Sequence, residues 1–263
     1  MTSAFKLTIA YDGTGYSGWQ RQKNARTIQG EIESRLAVIL DSPVNLHGAG
    51  RTDAGVHARA MTAHFHTEKS RSVKSIWNGL NSLLPRAIRI TGCTEVSPLF
   101  HARFDAKAKL YSYHIFTGQI QMPTARLYSS HVPFSLCSQT MTACLKQIIG
   151  THDFSSFEAA GSRDPACTAG RGAVRTIERA ELQQNGEHLT ILIQGDGFLR
   201  HMVRNIAGTL IEAGRGKRSV EDFSRVLAAR NRAESGSTAP ACGLFLEQVF
   251  YEQGSVFTRE ESP

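Results

Sequence analysis

The chain has 263 residues, 41% hydrophobic and 20% charged, with a formal net charge of +7. That balance suits a globular protein, argues against disorder and leaves room for one large domain or two smaller ones. The positive charge favours an anionic partner, nucleic acid being the commonest, although an inert basic surface has the same balance. Taken in chain order, "FKLTIAY" alternates, with Phe5, Leu7, Ile9 and Tyr11 on one face, and predicts a strand. "TIQGEIESRLAVIL" places Ile28, Ile32, Leu36 and Ile39 on one helical stripe behind Thr27 as N-cap. "VNLH" predicts a short strand. "AMTAHFHT" predicts another, with Met61, Ala63 and Phe65 inward. "SVKSIWNGLNSLL" is helical through Val73, Ile76, Trp77, Leu80 and Leu83 until Pro85 stops it, and "AIRITGCTEV" is a strand.

The second half repeats this β-α-β-β-α-β order. "KAKLYSYHIF" predicts a strand. "TMTACLKQII" predicts a helix with Met141, Cys144, Leu145 and Ile148 apolar, closed by Gly150. "VRTIERAELQQ" and "EHLTILIQ" are strands joined at Asn185-Gly186, a hairpin signal. "FLRHMVRNIAGTLIEAG" predicts a helix with Leu199, Val203, Ile206 and Leu210 facing the core. "SVEDFSRVLAAR" predicts an extra helix opened by a capping box of Ser219 and Asp222, and "LFLEQVFY" ends the unit. The expected class is therefore α+β, with two ferredoxin-like halves of mixed, largely antiparallel sheet. Two open sheets joined edge to edge would make one extended sheet with helices on one face. The division is expected near residue 105, giving domains 1–105 and 106–263.

The two halves differ in one connection. Where the second turns at Asn185-Gly186, the first spends residues 49–58, within "GAGRTDAGVHAR". A connection of that length in a compact domain is often functional. Asp53 is its only acid. A carboxylate is ionised at neutral pH and can act as nucleophile or base. Arg51 lies two residues away, and Arg204 on the helix at 198–213 is a second candidate partner. Gly48, Gly50 and Gly55 would let the backbone take positive φ and approach a ligand. One acid alone does not suit ordinary glycoside hydrolysis, which needs two.

His57, His64 and His66 make zinc conceivable, but no further Cys or carboxylate has ligand spacing, so no metal is expected. "GAGRTDAG" lacks the G-K-[ST] ending of a phosphate loop. Tyr111 and Tyr113 share one face of their strand, as core aromatics or as a base-stacking platform. Basic clusters (Arg21, Lys23, Arg26; Arg71, Lys74; Arg103, Lys107, Lys109; Arg215, Lys217, Arg218) suit a groove that follows phosphates. A non-catalytic RNA binder of the RRM kind is the competing reading, weakened by the lack of an RNP1-like string. The five cysteines (Cys93, Cys137, Cys144, Cys167, Cys242) contain no C-x-x-C pair and read as reduced thiols of a cytoplasmic protein. "MTSAFKLTIAYDG" lacks a signal-peptide core, and no apolar run approaches the roughly 20 residues of a membrane span.

Five stretches, "YDGTGYSGWQRQ", "GAGRTDAGVHA", "FHARFDAKAKLYSY", "DFSSF" and "FLRHMVRNIAGTL", resemble the tRNA pseudouridine synthase A family, in the family's order, over about residues 5–250. The resemblance implies an enzyme that isomerises uridine to pseudouridine at positions 38, 39 and 40 of the tRNA anticodon stem-loop. It implies no metal or organic cofactor, and a homodimer that binds tRNA across both subunits. It makes Asp53 the catalytic aspartate, Tyr111 the tyrosine stacked on the target uracil, and Arg204 the arginine paired with the aspartate. Leu244 in "GLFL" becomes the apolar residue beside the base, and Arg21 in "GWQRQ" a contact to the RNA backbone; Arg51, two residues from Asp53 in the loop, is expected by its position to bind substrate. Residues 158–177 have no clean counterpart in the family pattern and read as an RNA-facing loop.

Overall fold

The computed structural model describes residues 2–162 and 170–252. The chain forms two compact units. One runs to Lys109 and takes in residues 245–252, and the other is Leu110–Leu244. The first unit follows the expected β-α-β-β-α-β order: β1 (Ser3–Tyr11), α1 (Ile28–Leu40), β2 (His47–Gly48), β3 (His57–Thr67), α2 (Val73–Leu83) and β4 (Ile88–Val96). β1 lies between β3 and β4 and is antiparallel to both, while β2 pairs with β3. This is the strand order of a ferredoxin-like unit.

Local chemistry explains where these elements begin and which faces they bury. Thr27 caps α1, its hydroxyl accepting the Gly30 N–H at 3.3 Å. Such a cap contributes about 1 kcal/mol. Ile28, Ile32, Leu36 and Leu40 form the buried stripe, with Ile39 at its margin. The strand expected at "VNLH" shrinks to His47–Gly48 because Leu46 spends its backbone elsewhere. Its N–H goes to Glu33 and its carbonyl to Gln29, so neither joins a ladder. α2 buries only Ile76 and Leu80, while Trp77 and Leu83 stay partly exposed. Trp77 donates its indole N–H to the Ile90 carbonyl, which draws the ring to the rim of the core.

The second unit holds β5 (Ala108–Phe116) from Leu110 on, β6 (Ser130–His131), α3 (Ser138–Gln147), β7 (Gly150–Asp153), β8 (Val174–Asn185), β9 (His188–Gly195), α4 (Met202–Gly214) and α5 (Val220–Ala229). Its strands run in the order β5-β9-β8-β7, with β6 on β5. β6 and β7 are additions to the expected pattern. Gly150, expected to close α3, takes φ +105 and opens β7 instead. In the hairpin, Asn185 pairs with His188, so the turn residues are Gly186 and Glu187. α4 starts at Met202 rather than at Phe198, because His201 has φ 62 and breaks the helical path. Leu199 therefore precedes the helix. α5 opens with the expected reciprocal capping box of Ser219 and Asp222.

The last strand, β10 (Leu244–Phe250), forms where "LFLEQVFY" predicts one. Sequence order places it at the end of the second half. Its residues Phe245 and Leu246 pair, in parallel, with His57 and Ala58 of β3. The first unit is therefore built from both ends of the chain. Ten strands, mostly antiparallel, and five α-helices among the described residues make the mixed α+β class that periodicity predicts.

Candidate active site

The loop at 49–56 is gripped from one side by residues 11–19 of the same unit. Ala49 N–H bonds the Thr62 carbonyl, and Val56 N–H bonds the Asp53 carbonyl at 3.2 Å, closing a turn around the acid. Thr52 is buried and held twice: its Oγ1 lies 2.8 Å from the Tyr11 hydroxyl, and its carbonyl accepts the Trp19 N–H at 3.1 Å. Asp53 is half-buried and Arg51 is exposed. Contact between the two segments is backbone against backbone. A Cβ on Gly13 would stand 2.0 Å from the Val56 carbonyl oxygen, and one on Gly18 (φ +86) 2.5 Å from that of Thr52. Only glycine fits either position. Of the three loop glycines expected at positive φ, Gly55 alone adopts it. Gly48 serves a different end, making room for the fully buried ring of Trp19.

The histidines expected as possible ligands have other duties. His57 is buried, its Nδ1 accepts the Gly13 N–H at 3.1 Å, and its ring stacks on Phe245 at 4.5 Å. His64 Nδ1 accepts the Ala102 N–H at 3.1 Å, and His66 Nε2 lies 3.0 Å from the Pro98 carbonyl oxygen. His64 sits among three other imidazoles, His101 at 4.7 Å, His47 at 5.1 Å and His66 at 5.3 Å between ring centroids. Burial, then repulsion from His101, His47 and His66, pushes its pKa down to about 4. His101 is lowered as well, first by burial, and its Nδ1 accepts the N–H groups of Arg103 and Phe104. The nitrogens of His64 and His101 facing these N–H donors are thus already engaged as acceptors. Among the described residues, no group of three or more His, Cys, Asp or Glu side chains is arranged to hold a metal ion.

Arg21 projects from the segment just beyond Trp19. It is mostly exposed, yet its Nη1 lies 3.1 Å from Oε2 of the buried Glu33. The other oxygen of Glu33 accepts the Leu46 N–H and the Gln29 side-chain N–H. Gln29 in turn accepts the Arg21 backbone N–H at 2.8 Å. Sequence reasoning missed this network. Its trace is the pair of polar residues, Gln29 and Glu33, spaced one turn apart beside the apolar stripe of α1.

The remaining candidates belong to the second unit. Tyr111 on β5 is buried with its ring edge-on to Phe198, at 4.9 Å between centroids. Tyr113, on the same face, is fully buried and donates to the Pro240 carbonyl, and burial pushes its pKa up. Its role is packing. Arg204 is the third residue of α4. Its Nε donates to the Ala239 carbonyl at 2.8 Å, and its own carbonyl accepts the Ala239 N–H at 3.1 Å. The strap at 235–239 lies so close to α4 that a Cβ on Gly208 would stand 1.8 Å from the Ser237 carbonyl oxygen. Leu244 is buried at the start of β10. Within the unmatched stretch 158–177, residues 163–169 lie outside the described residues. On its far side Arg171 pairs with Asp196.

The sequence matches the family model described as tRNA pseudouridine synthase over residues 7–105 and 144–252. The protein named tRNA pseudouridine synthase A 1 of Desulfotalea psychrophila is 54% identical over 248 residues, 93% of this chain and 98% of that protein. The protein of the same name from Protochlamydia amoebophila is 44% identical over 94% of this chain and 96% of its own length. tRNA pseudouridine synthase A of Citrifermentans bemidjiense is 45% identical, covering 94% and 97%.

Proposed function

The chain belongs to the tRNA pseudouridine synthase family, which isomerises uridine to pseudouridine in tRNA, and we propose that Asp53 is its catalytic group. The observation that carries this reading is the doubly held loop. Thr52 is anchored through both side chain and carbonyl, and the next residue is the loop's single carboxylate. A target uridine must leave the helical stack before its glycosidic bond can be reached. Asp53 then assists cleavage of the C1′–N1 bond. Attack on the ribose, attack on the base and proton removal from C2′ all fit one carboxylate. The freed uracil turns, C5 bonds to C1′, the C5 proton leaves and N1 takes up a proton. Product and substrate are isomers, so no second acid is needed to activate water.

In the same reading, Tyr111 stacks on the uracil and Arg204 pairs with Asp53. Leu244 supplies an apolar wall, Arg51 assists substrate binding, and Arg21 meets the RNA backbone. The targets are positions 38, 39 and 40 of the anticodon stem-loop. The enzyme works without metal or organic cofactor, as a cytoplasmic homodimer. The net charge of +7 supports an RNA substrate. No helix among the described residues is long and apolar enough to cross a membrane.

The test is tritium release from tRNA labelled at uracil C5, in EDTA and without nucleotide, for wild type beside Asp53→Asn. Release by the wild type alone is expected. Equal release by Asp53→Asn would remove Asp53 from the chemistry.

A further inference from the structure

Tyr11 ends β1, four-hundredths exposed at most, and its hydroxyl is the polar tip of an otherwise apolar residue. A phenylalanine would fill the same core volume. A buried hydroxyl needs a partner, and Oγ1 of Thr52, the residue immediately before Asp53, lies 2.8 Å from it. The chain is shaped to allow it. The β1–β3 register shifts between Ile9 and Tyr11, with Ile9 opposite Met61 but Tyr11 opposite Ala58. Such an irregularity re-aims a side chain at the end of a ladder.

We infer that Tyr11 is a positioning residue for Asp53, acting through the Thr52 hydroxyl. This rests on the reading of Asp53 as the catalytic group. The loop carries glycines at 48, 50 and 55, so its free backbone would visit many conformations. Fixing it therefore takes dedicated contacts. The Trp19 N–H holds the Thr52 carbonyl and the Val56 N–H holds the Asp53 carbonyl. These two fix the backbone in position. The Tyr11–Thr52 bond adds a restraint from the side-chain direction. It sets the rotation of the residue from which Asp53 departs. Misplacing a catalytic group by about 1 Å can lower turnover on the order of a hundredfold.

The experiment compares single-turnover pseudouridine formation, with enzyme saturating over tRNA, for wild type, Tyr11→Phe, Thr52→Val, Thr52→Ser, the double variant Tyr11→Phe/Thr52→Val, and Asp53→Asn. tRNA binding is measured separately, and folding is followed by tryptophan fluorescence. The two hydroxyl-deleting variants are expected to lose turnover about tenfold with tRNA Kd within about twofold of wild type. Thr52→Ser keeps the oxygen and should stay near the wild-type rate. The double variant should lose no more than either single, because one bond is removed only once. Unchanged turnover in Tyr11→Phe would overturn the inference. So would losses that multiply in the double variant, or a Kd that rises in step with the fall in turnover. Should Thr52→Val fail to fold, Tyr11→Phe against Thr52→Ser decides by the same criteria. An inactive Asp53→Asn beside a fully active Tyr11→Phe overturns only the role of Tyr11. A fully active Asp53→Asn overturns the reading beneath it.

Discussion

The four-histidine cluster predicts that the first unit is weakened by mild acid. His64 is 1% exposed, and its Nδ1 already accepts the Ala102 N–H, so a proton can enter only by breaking that bond. The facing groups are His47 on β2, His66 on β3, and His101 on the segment before β5. Asp105, which accepts the His101 N–H, is the acid beside His101 and favours protonation there. The folded pKa of about 4 compares with an ordinary histidine value of 6.5. Above the ordinary value both folded and unfolded chains hold a neutral imidazole, and His64 contributes nothing to the pH dependence. As the pH falls below it, the unfolded chain binds a proton that the folded chain refuses. Stability then declines by up to about 1.4 kcal/mol per pH unit until the folded pKa is reached. The whole window is worth roughly 3 kcal/mol, a large share of the roughly 5–15 kcal/mol of a typical fold.

Urea unfolding from about pH 7.5 to about pH 4.5 measures this loss. Both tryptophans, Trp19 and Trp77, lie in the first unit, so their fluorescence reports on it alone. His64→Asn provides the control, since an amide oxygen can replace Nδ1 as the acceptor for Ala102 without titrating. The variant should start less stable and fall less steeply. Parallel declines in wild type and variant would refute the assignment of acid sensitivity to His64.

Two further outcomes follow from contacts described above. Gly13→Ala drives a methyl to 2.0 Å from the Val56 carbonyl; it should cost about 1–3 kcal/mol in urea unfolding and lower turnover by displacing the loop. Arg21→Ala should weaken tRNA binding alike across tRNA sequences and reduce the slope of log Kd against log salt by about one; an unchanged slope would remove Arg21 from the RNA contact.

The parts of the fold legible in the sequence are those fixed by near neighbours. β1 follows from strict alternation, α1 from its stripe and Thr27, and the start of α5 from Ser219 and Asp222. The misread parts depend on distant residues. β2 is cut short because Glu33, thirteen positions earlier, takes the Leu46 N–H. α4 starts late because of one left-handed residue, His201, a conformation no periodicity reveals. In the candidate site, the glycine-rich loop singled out Asp53 as its lone acid. The Tyr11–Thr52 bond spans 41 positions and joins two residues of ordinary core type, so nothing local announced it. The histidine cluster is legible only in part. His64 and His66 stood out, whereas His47 and His101 reach them only through the fold.

The return of β10 to β3 gives the protein a built-in order of completion. During synthesis, residues 110–244 emerge as one contiguous piece. The first unit cannot finish until Phe245 and Leu246 have left the ribosome, because they pair with His57 and Ala58 and Phe245 covers the His57 ring. A nascent or truncated chain ending at Leu244 would carry Asp53, Tyr111 and Arg204 alike. It would nevertheless present a bare strand edge, open to pairing with another chain, directly after the loop that holds Asp53. Completeness of the polypeptide is thereby coupled to the integrity of that loop.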